Sequence, residues 1–203
     1  MANLMRFKII IVLIFTLGFC GCAHLVKIED PNVSFEGTSY VIKPPSNGEW
    51  FYDRMKSFSG NTTYFFSRKN QSKTLSNYAL VSEKISPIIF DNEKCFLDYV
   101  KLSVIQSNDP QRMELAESEF EIKSFIGAKD ISFYVVYKDL NAPNKGNYPY
   151  LYVKTAGNII EHPDKRNMLI QLDYSERGVE SELDENFKEN AARFFNKLTF
   201  KKP

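Results

Sequence analysis

Asn167-Met168-Leu169-Ile170-Gln171-Leu172-Asp173-Tyr174-Ser175-Glu176-Arg177-Gly178 is the stretch on which the fold turns. Met168, Ile170, Leu172 and Tyr174 recur at every second position, the period of a strand with one apolar face, so residues 167–175 read as a β-strand. Directly after it, Leu183, Phe187, Ala191, Phe194 and Leu198 fall on one stripe at helical spacing, and Ser181 and Asp184 stand as in a capping box. An amphipathic helix over about 181–198 is therefore expected. A strand that leads straight into such a helix asks for a sheet with a helix on its apolar face.

Upstream, residues 114–126, 131–139 and 148–155 read as three further strands, and 131–137 is largely apolar on both faces, as in a strand covered on both sides. Residues 91–107 change period: Phe96, Tyr99, Val100, Ser103 and Val104 have helical spacing, with Asp91 as N-cap and Cys95 in the first turns. Before that helix, 38–43 reads as a strand stopped by Pro44-Pro45, and Ser46-Asn47-Gly48 as a turn leading to Trp50. Residues 62–67 and 78–84 have the aromatic and aliphatic content of two strands, joined by a polar loop over 68–76. Residues 199–201 add a short closing strand. The expected fold class is α+β: a largely antiparallel sheet packed against two main helices, about 91–107 and 181–198.

The N-terminus carries an address. Arg6 and Lys8 precede the apolar run from Ile9 to Phe19, which ends at Cys20-Gly21-Cys22. At 1.5 Å per residue this run spans roughly half of the ~30 Å hydrocarbon core, so a cleaved secretory signal fits better than a membrane span. The end of the run resembles a bacterial lipobox, with Gly21 before the cut and Cys22 as the first mature, lipid-bearing residue. Phe19 stands where that pattern has Leu. Cys20 is the poorer candidate, since bulky Phe19 would precede the cut; the plain alternative is an ordinary signal cut near Ala23. The expected organisation is a signal peptide over 1–21, a lipidated Cys22 and short tether over 22–36, and a single α+β domain over 37–203. Ala23, in place of the Asp that the sorting pattern associates with inner-membrane retention, favours the periplasmic face of the outer membrane. The membrane, reached through Cys22, is thus one expected partner.

The chain has 203 residues, 43% hydrophobic and 25% charged, which fits a folded globular domain. Its formal charge is +1, from 26 basic and 25 acidic residues, and loss of 1–21 brings it to −1, so no field steers it to nucleic acid. Arg68, Lys69 and Lys73 near Tyr64–Phe66 read as a solvated loop. Three Cys and two His are too few for a disulfide scaffold or a zinc module. With Cys20 removed and Cys22 lipidated only Cys95 is left, expected as a buried structural thiol on its helix. No cofactor or metal is expected: Glu117, Glu119 and Glu121 alternate on a strand as a solvated face, and Gly127, Gly146, Gly157 and Gly178 stand singly in turns rather than in a phosphate loop.

The element order resembles the fold of the photosystem subunit PsbP and the nuclear import factor Mog1, an α/β sandwich also used by bacterial lipoproteins. A second resemblance runs from Tyr40 to the C-terminus, to a family of small bacterial lipoproteins. It rests on Pro44-Pro45, Gly48-Glu49-Trp50, His162-Pro163 and above all Tyr174-Ser175-Glu176-Arg177-Gly178 followed by a helix ending in Phe194-Phe195 and Leu198. Relatives of that kind often carry a cysteine pair in the later strands, which this chain lacks. The resemblance implies fold and address, and no activity.

Catalysis lacks its parts. A serine hydrolase needs a base, and only His24 and His162 offer one; no Gly-x-Ser-x-Gly elbow accompanies them, so His162 reads as a turn residue before Pro163. Tyr148, Tyr150 and Tyr152 would share one strand face, either beneath a helix, the expected case, or as a contact surface. Glu176 and Arg177 cap a turn or pair with neighbours, or else meet a partner. The expectation is a lipid-anchored, non-enzymatic binding or assembly module with an unknown envelope protein partner. Candidate binding residues are Trp50, Tyr148, Tyr150, His162, Glu176 and Arg177. The alternatives are a small-ligand carrier with a pocket between sheet and helix, favoured by a cavity lined by Trp50, Tyr148 and Tyr150, and a hydrolase with His162 beside a Ser and an Asp.

Overall fold

A computed structural model describes residues 25–57, 60–70, 72–165 and 167–202; the signal segment and Cys22 lie outside them. The strand over 167–175 is present as β10, and its neighbours can be laid out from it. In chain order the strands are β1 (Val26–Lys27), β2 (Phe35–Glu36), β3 (Tyr40–Ile42), β4 (Trp50–Lys56), β5 (Thr62–Arg68), β6 (Ser76–Ile85), β7 (Met113–Phe125), β8 (Ala128–Asp139), β9 (Leu151–Glu161), β10 (Met168–Gly178) and β11 (Thr199–Phe200). Helix α1 (Glu93–Gln106) lies between β6 and β7, and α2 (Phe187–Phe195) follows a single 3-10 turn after β10. Eight strands form an antiparallel sheet in the order β1-β4-β5-β6-β10-β9-β8-β7, and β11-β3-β2 form a second, small sheet.

The apolar face of β10 does what alternation predicts. Ile170, Leu172 and Tyr174 are buried together with Ala79, Val81, Tyr64 and Phe66 from neighbouring strands. Helix α2 and the small sheet cover this back face: Phe187 packs 5.5 Å from Tyr174 and Phe194 5.9 Å from Phe66, while Tyr40 and Ile42 are fully buried. Each such aromatic or aliphatic side chain contributes about 1.5–3 kcal/mol by leaving water. The opposite, front face is covered only in part. Phe96 and Val100 of α1 pack on Ile131, Phe133, Val135 and Tyr137 of β8, while α1 does not extend over the front of β4 to β6. β8 is thus covered on both sides, as expected, although it lies next to the sheet edge rather than at its centre.

Several expectations need correction. The second helix is shorter than 181–198, because Glu180–Glu182 form a 3-10 turn and Asn186 is the N-cap of α2. The capping box does not form; Asp184 instead accepts from the Asn186 amide at 2.8 Å and from Asn190 Nδ2 at 2.7 Å. The first helix is capped by Asn92, whose Oδ1 accepts the Cys95 amide at 2.9 Å, and not by Asp91. Cys95 is exposed, because its place in the first turn lies on the side of α1 away from the sheet. The tether is more ordered than its sequence suggests: Phe35 is buried with ring centroids 4.7–5.2 Å from Tyr52, Tyr64 and Phe66, which pins residues 26–36 to the sheet. β4 went unread because Trp50–Lys56 lacks regular alternation. Gly157 sits inside β9 rather than in a turn; a Cβ there would lie 2.2 Å from the Phe133 ring, so only glycine lets that ring cross the strand.

Candidate functional site

The front face of β10 is built from the residues that alternate with the core: Gln171, Asp173, Ser175 and Arg177. On a sheet closed over by a helix these positions would be apolar. Here α1 stops short of them, and a cleft of about 880 Å³ opens between the sheet and α1. Its helix-side wall is Ser103, Val104 and Ser107, with Asp109, Arg112 and Met113 from the segment that follows; Phe65 and Tyr78 form the far side, and Val135, Val153 and Ile159 supply apolar floor.

The polar floor is a set of linked groups. Thr155 and Ser175 hydroxyls lie 2.9 Å apart beside the Tyr78 phenol, whose pKa burial pushes up, an effect those hydroxyls partly offset. The Tyr78 ring stacks on Phe65 at 5.6 Å. Lys84 donates to Gln171 Oε1, and Gln171 Nε2 donates to Asp173 Oδ2 at 2.6 Å. At the open end of the cleft, Arg112 grips the buried Asp139 with two bonds of 2.8 and 2.6 Å, and Arg177 approaches the same carboxylate at 3.8 Å. The bidentate bond holds the Arg112 guanidinium firmly charged.

Two atoms in this network lack a mate. Asp173 Oδ1 and Arg177 Nε are buried with no hydrogen-bond partner among the described residues. An unmet buried polar group costs about 1–3 kcal/mol, so a fold that keeps two of them on one strand face keeps them against its own stability. Burial drives the Asp173 carboxyl up to about 6, with Lys84 and Gln171 offsetting only part of the effect. Both atoms are sealed beneath the surface, but the rest of the Asp173 and Arg177 side chains lines the cleft, which therefore offers a carboxyl and a guanidinium with apolar surface between them.

Of the residues that sequence singles out, only Arg177 lines this cleft. Trp50 is in the core of the back face, its indole N–H donating to the Asn47 carbonyl at 3.2 Å. Tyr148 and Tyr150 precede β9 rather than belonging to it, so the expected buried tyrosine face does not form. Tyr148 is exposed, and the Tyr150 and Tyr152 rings meet edge-on at 5.1 Å in a shallow groove with Val179 and Glu180. Trp50 is therefore not brought together with the tyrosines, and among the described residues no cavity lined by all three, which would have favoured a carrier, is formed. Glu176 is buried and ties β6 to the turn before α2, accepting from Asn77 Nδ2 and the Asp184 amide at 3.0 Å each.

His162 is buried, and its bonds define its tautomer. Nδ1 accepts the amides of Asp164 and Lys165 at 3.1 Å, which leaves the proton on Nε2 to be donated to the Ser39 carbonyl at 3.2 Å. Burial lowers its pKa, so it stays neutral and fully engaged in shaping the turn before Pro163. Sequence reasoning missed Asp173, Tyr78, Asp139 and Arg112. One signal was available: a strand with a strict apolar face whose other face reads Gln171, Asp173, Ser175, Arg177 cannot be packed on that side by hydrocarbon.

No family model and no curated protein matches the chain. Among solved structures, the solution structure of cyanobacterial PsbP (CyanoP) from Synechocystis sp. PCC 6803 is similar, with a TM-score of 0.47 and 17% identity over 91% of this chain and 96% of that one.

Proposed function

We propose that this chain is a lipid-anchored, non-enzymatic binding protein of the cell envelope that takes a small amphipathic ligand in the cleft between its sheet and α1. The observation that carries the ligand is the pair of charged side chains, Asp173 and Arg177, that line an 880 Å³ cleft of otherwise partly apolar lining. A ligand with a donor at one end, an acceptor at the other and hydrocarbon between would match these two side chains and the apolar surface between them. The sequence supports the rest: a signal-like segment ending at Cys22, with Ala23 favouring the outer membrane. The geometry thus favours a carrier over a protein-assembly module, whose surface would be the exposed Tyr148.

Two experiments test the reading. Palmitate labelling in cells reports the anchor, and persistence of the label in Cys22→Ser would sink it. Native mass spectrometry of the protein purified from envelope membranes reports the ligand. Wild type should retain a small non-covalent adduct that Asp173→Asn and Arg177→Met both lose while keeping a native circular dichroism spectrum. An adduct-free wild type, or an adduct shared by all three proteins, would refute the cleft as a ligand site.

A further inference from the structure

The end of the sheet opposite Arg112 and Arg177 collects exposed aliphatic side chains. Register fixes which elements meet there: Ile85 at the end of β6 faces Met168 at the start of β10, Leu169 faces Glu161 at the end of β9, and Asp130 near the start of β8 faces Ile160. The β7–β8 turn, Ile126-Gly127, closes the same end. Ile85, Ile88, Ile89 and Ile126 are exposed by 60%, 48%, 52% and 66%, and Met55, one residue before the end of β4, is exposed too. Clusters of this kind on a folded surface mark contacts rather than chance.

Ile126 adds a second observation. Its φ of 50° lies in the left-handed region, where a β-branched side chain is strained and where Asn or Gly is the relaxed choice for a two-residue hairpin turn. Among the described residues the most exposed large aliphatic side chain thus sits at a turn position poorly suited to it.

The tether supplies the third. β1 runs antiparallel to β4, with Val26 opposite Tyr52 and Lys27 opposite Phe51, so the chain traced backward from Val26 heads toward Lys56. From Tyr52 to Lys56 β4 advances about 13 Å. From Val26 back to Cys22 is also four residues, which reach at most about 14 Å. Fully extended, those four residues would let Cys22 come no farther than about the level of the isoleucine-bearing end.

We infer that this end of the molecule is a membrane-docking surface, its isoleucines and Met55 resting in the lipid interface while the acyl chains on Cys22 hold it there. The occupant is a bilayer, because the segment that would carry lipid leads to this end and the few residues between Val26 and Cys22 are too short for a stalk. The cleft then faces away from the membrane or along it, with Arg112, Asp139 and Arg177 at the distal end. The inference rests on lipidation at Cys22.

The full lipidated chain in a Cys95→Ser background, carrying a single environment-sensitive fluorophore at Ile88→Cys, Ile126→Cys or Asn147→Cys, tests it in vesicles of phosphatidylethanolamine, phosphatidylglycerol and doxyl-labelled phosphatidylcholine. Fluorophores at 88 and 126 should shift to the blue and be quenched by the doxyl lipid, while the one at 147, on the loop at the other end, keeps its aqueous emission. Flotation with the vesicles, lost in Cys22→Ser, checks the anchor separately. A chain that floats through Cys22 yet shows equal, unquenched emission at all three sites overturns the docking surface alone. Disulfide-linked dimers formed on air oxidation by the unlabelled Ile88→Cys protein, with no lipid quenching of the labelled one, would overturn it in favour of a second copy of the chain. Loss of neither palmitate label nor flotation in Cys22→Ser would instead overturn the anchor.

Discussion

The two faces of β10 are made by the same eleven residues and have opposite fates. On one, Ile170, Leu172 and Tyr174 vanish under α2 and the small sheet; on the other, Gln171, Asp173, Ser175 and Arg177 floor an open cleft. The difference shows how one strand can serve as scaffold and site at once. The covered face contributes stability through area, and the open face gives some of it back in polar groups that are buried without full pairing.

Truncating the covered face should have the largest effect. Tyr174→Ala removes a buried ring between Trp50 and Phe187 and is expected to cost about 3–5 kcal/mol in chemical denaturation, against about 0.5–1.5 kcal/mol for Ser175→Ala, which removes a buried hydroxyl paired to Thr155 and the Lys154 carbonyl. Similar costs for the two would break the comparison.

Asp173→Asn should go the other way. The carboxyl prefers its proton in the fold, so its contribution to stability is complete below its ordinary 3.8 and is lost as pH rises through about 6. At pH 7 to 8 the variant should therefore be more stable than wild type, on the order of 1–2 kcal/mol, with the advantage gone near pH 3. Thermal melts across pH measure this, and a destabilised variant at pH 8 would contradict the cleft electrostatics.

His162 supplies a smaller slope of opposite sign. Its folded pKa is depressed by burial, so the stability it brings is present above 6.5 and falls away as pH drops through the folded value. The difference in melting temperature between wild type and His162→Gln should narrow on acidification, and a constant gap would argue against a neutral, double-bonded ring. Smallest of all, Cys95→Ser on the exposed side of α1 should change stability by less than about 0.5 kcal/mol. A larger loss would return Cys95 to the core that its sequence neighbours, Phe90 and Phe96, first suggested.

What was legible follows from local periodicity. The strand over 167–175, the strands of β5 to β8 and the stripe from Phe187 to Leu198 could be read because each residue's neighbours in sequence are also its neighbours on one face. β4 and the Phe35 anchor could not, since their burial depends on partners far along the chain: Tyr64 and Phe66 for Phe35, Tyr174 for Trp50. The candidate site divides the same way. Arg177 stood in a conspicuous string, whereas Asp139 and Arg112 became its neighbours only when β9 set β8 beside β10 and the segment after α1 brought Arg112 onto Asp139.

By itself the sequence determined the α+β class, the order of the main elements and the signal-like address at Cys22, because these rest on period, composition and short local patterns. Only the tertiary structure decided which polar residues stay unmatched and which apolar ones stay outside. That outcome depends on how far α1 reaches across the sheet and where the strands end, distances that no stretch of sequence carries on its own.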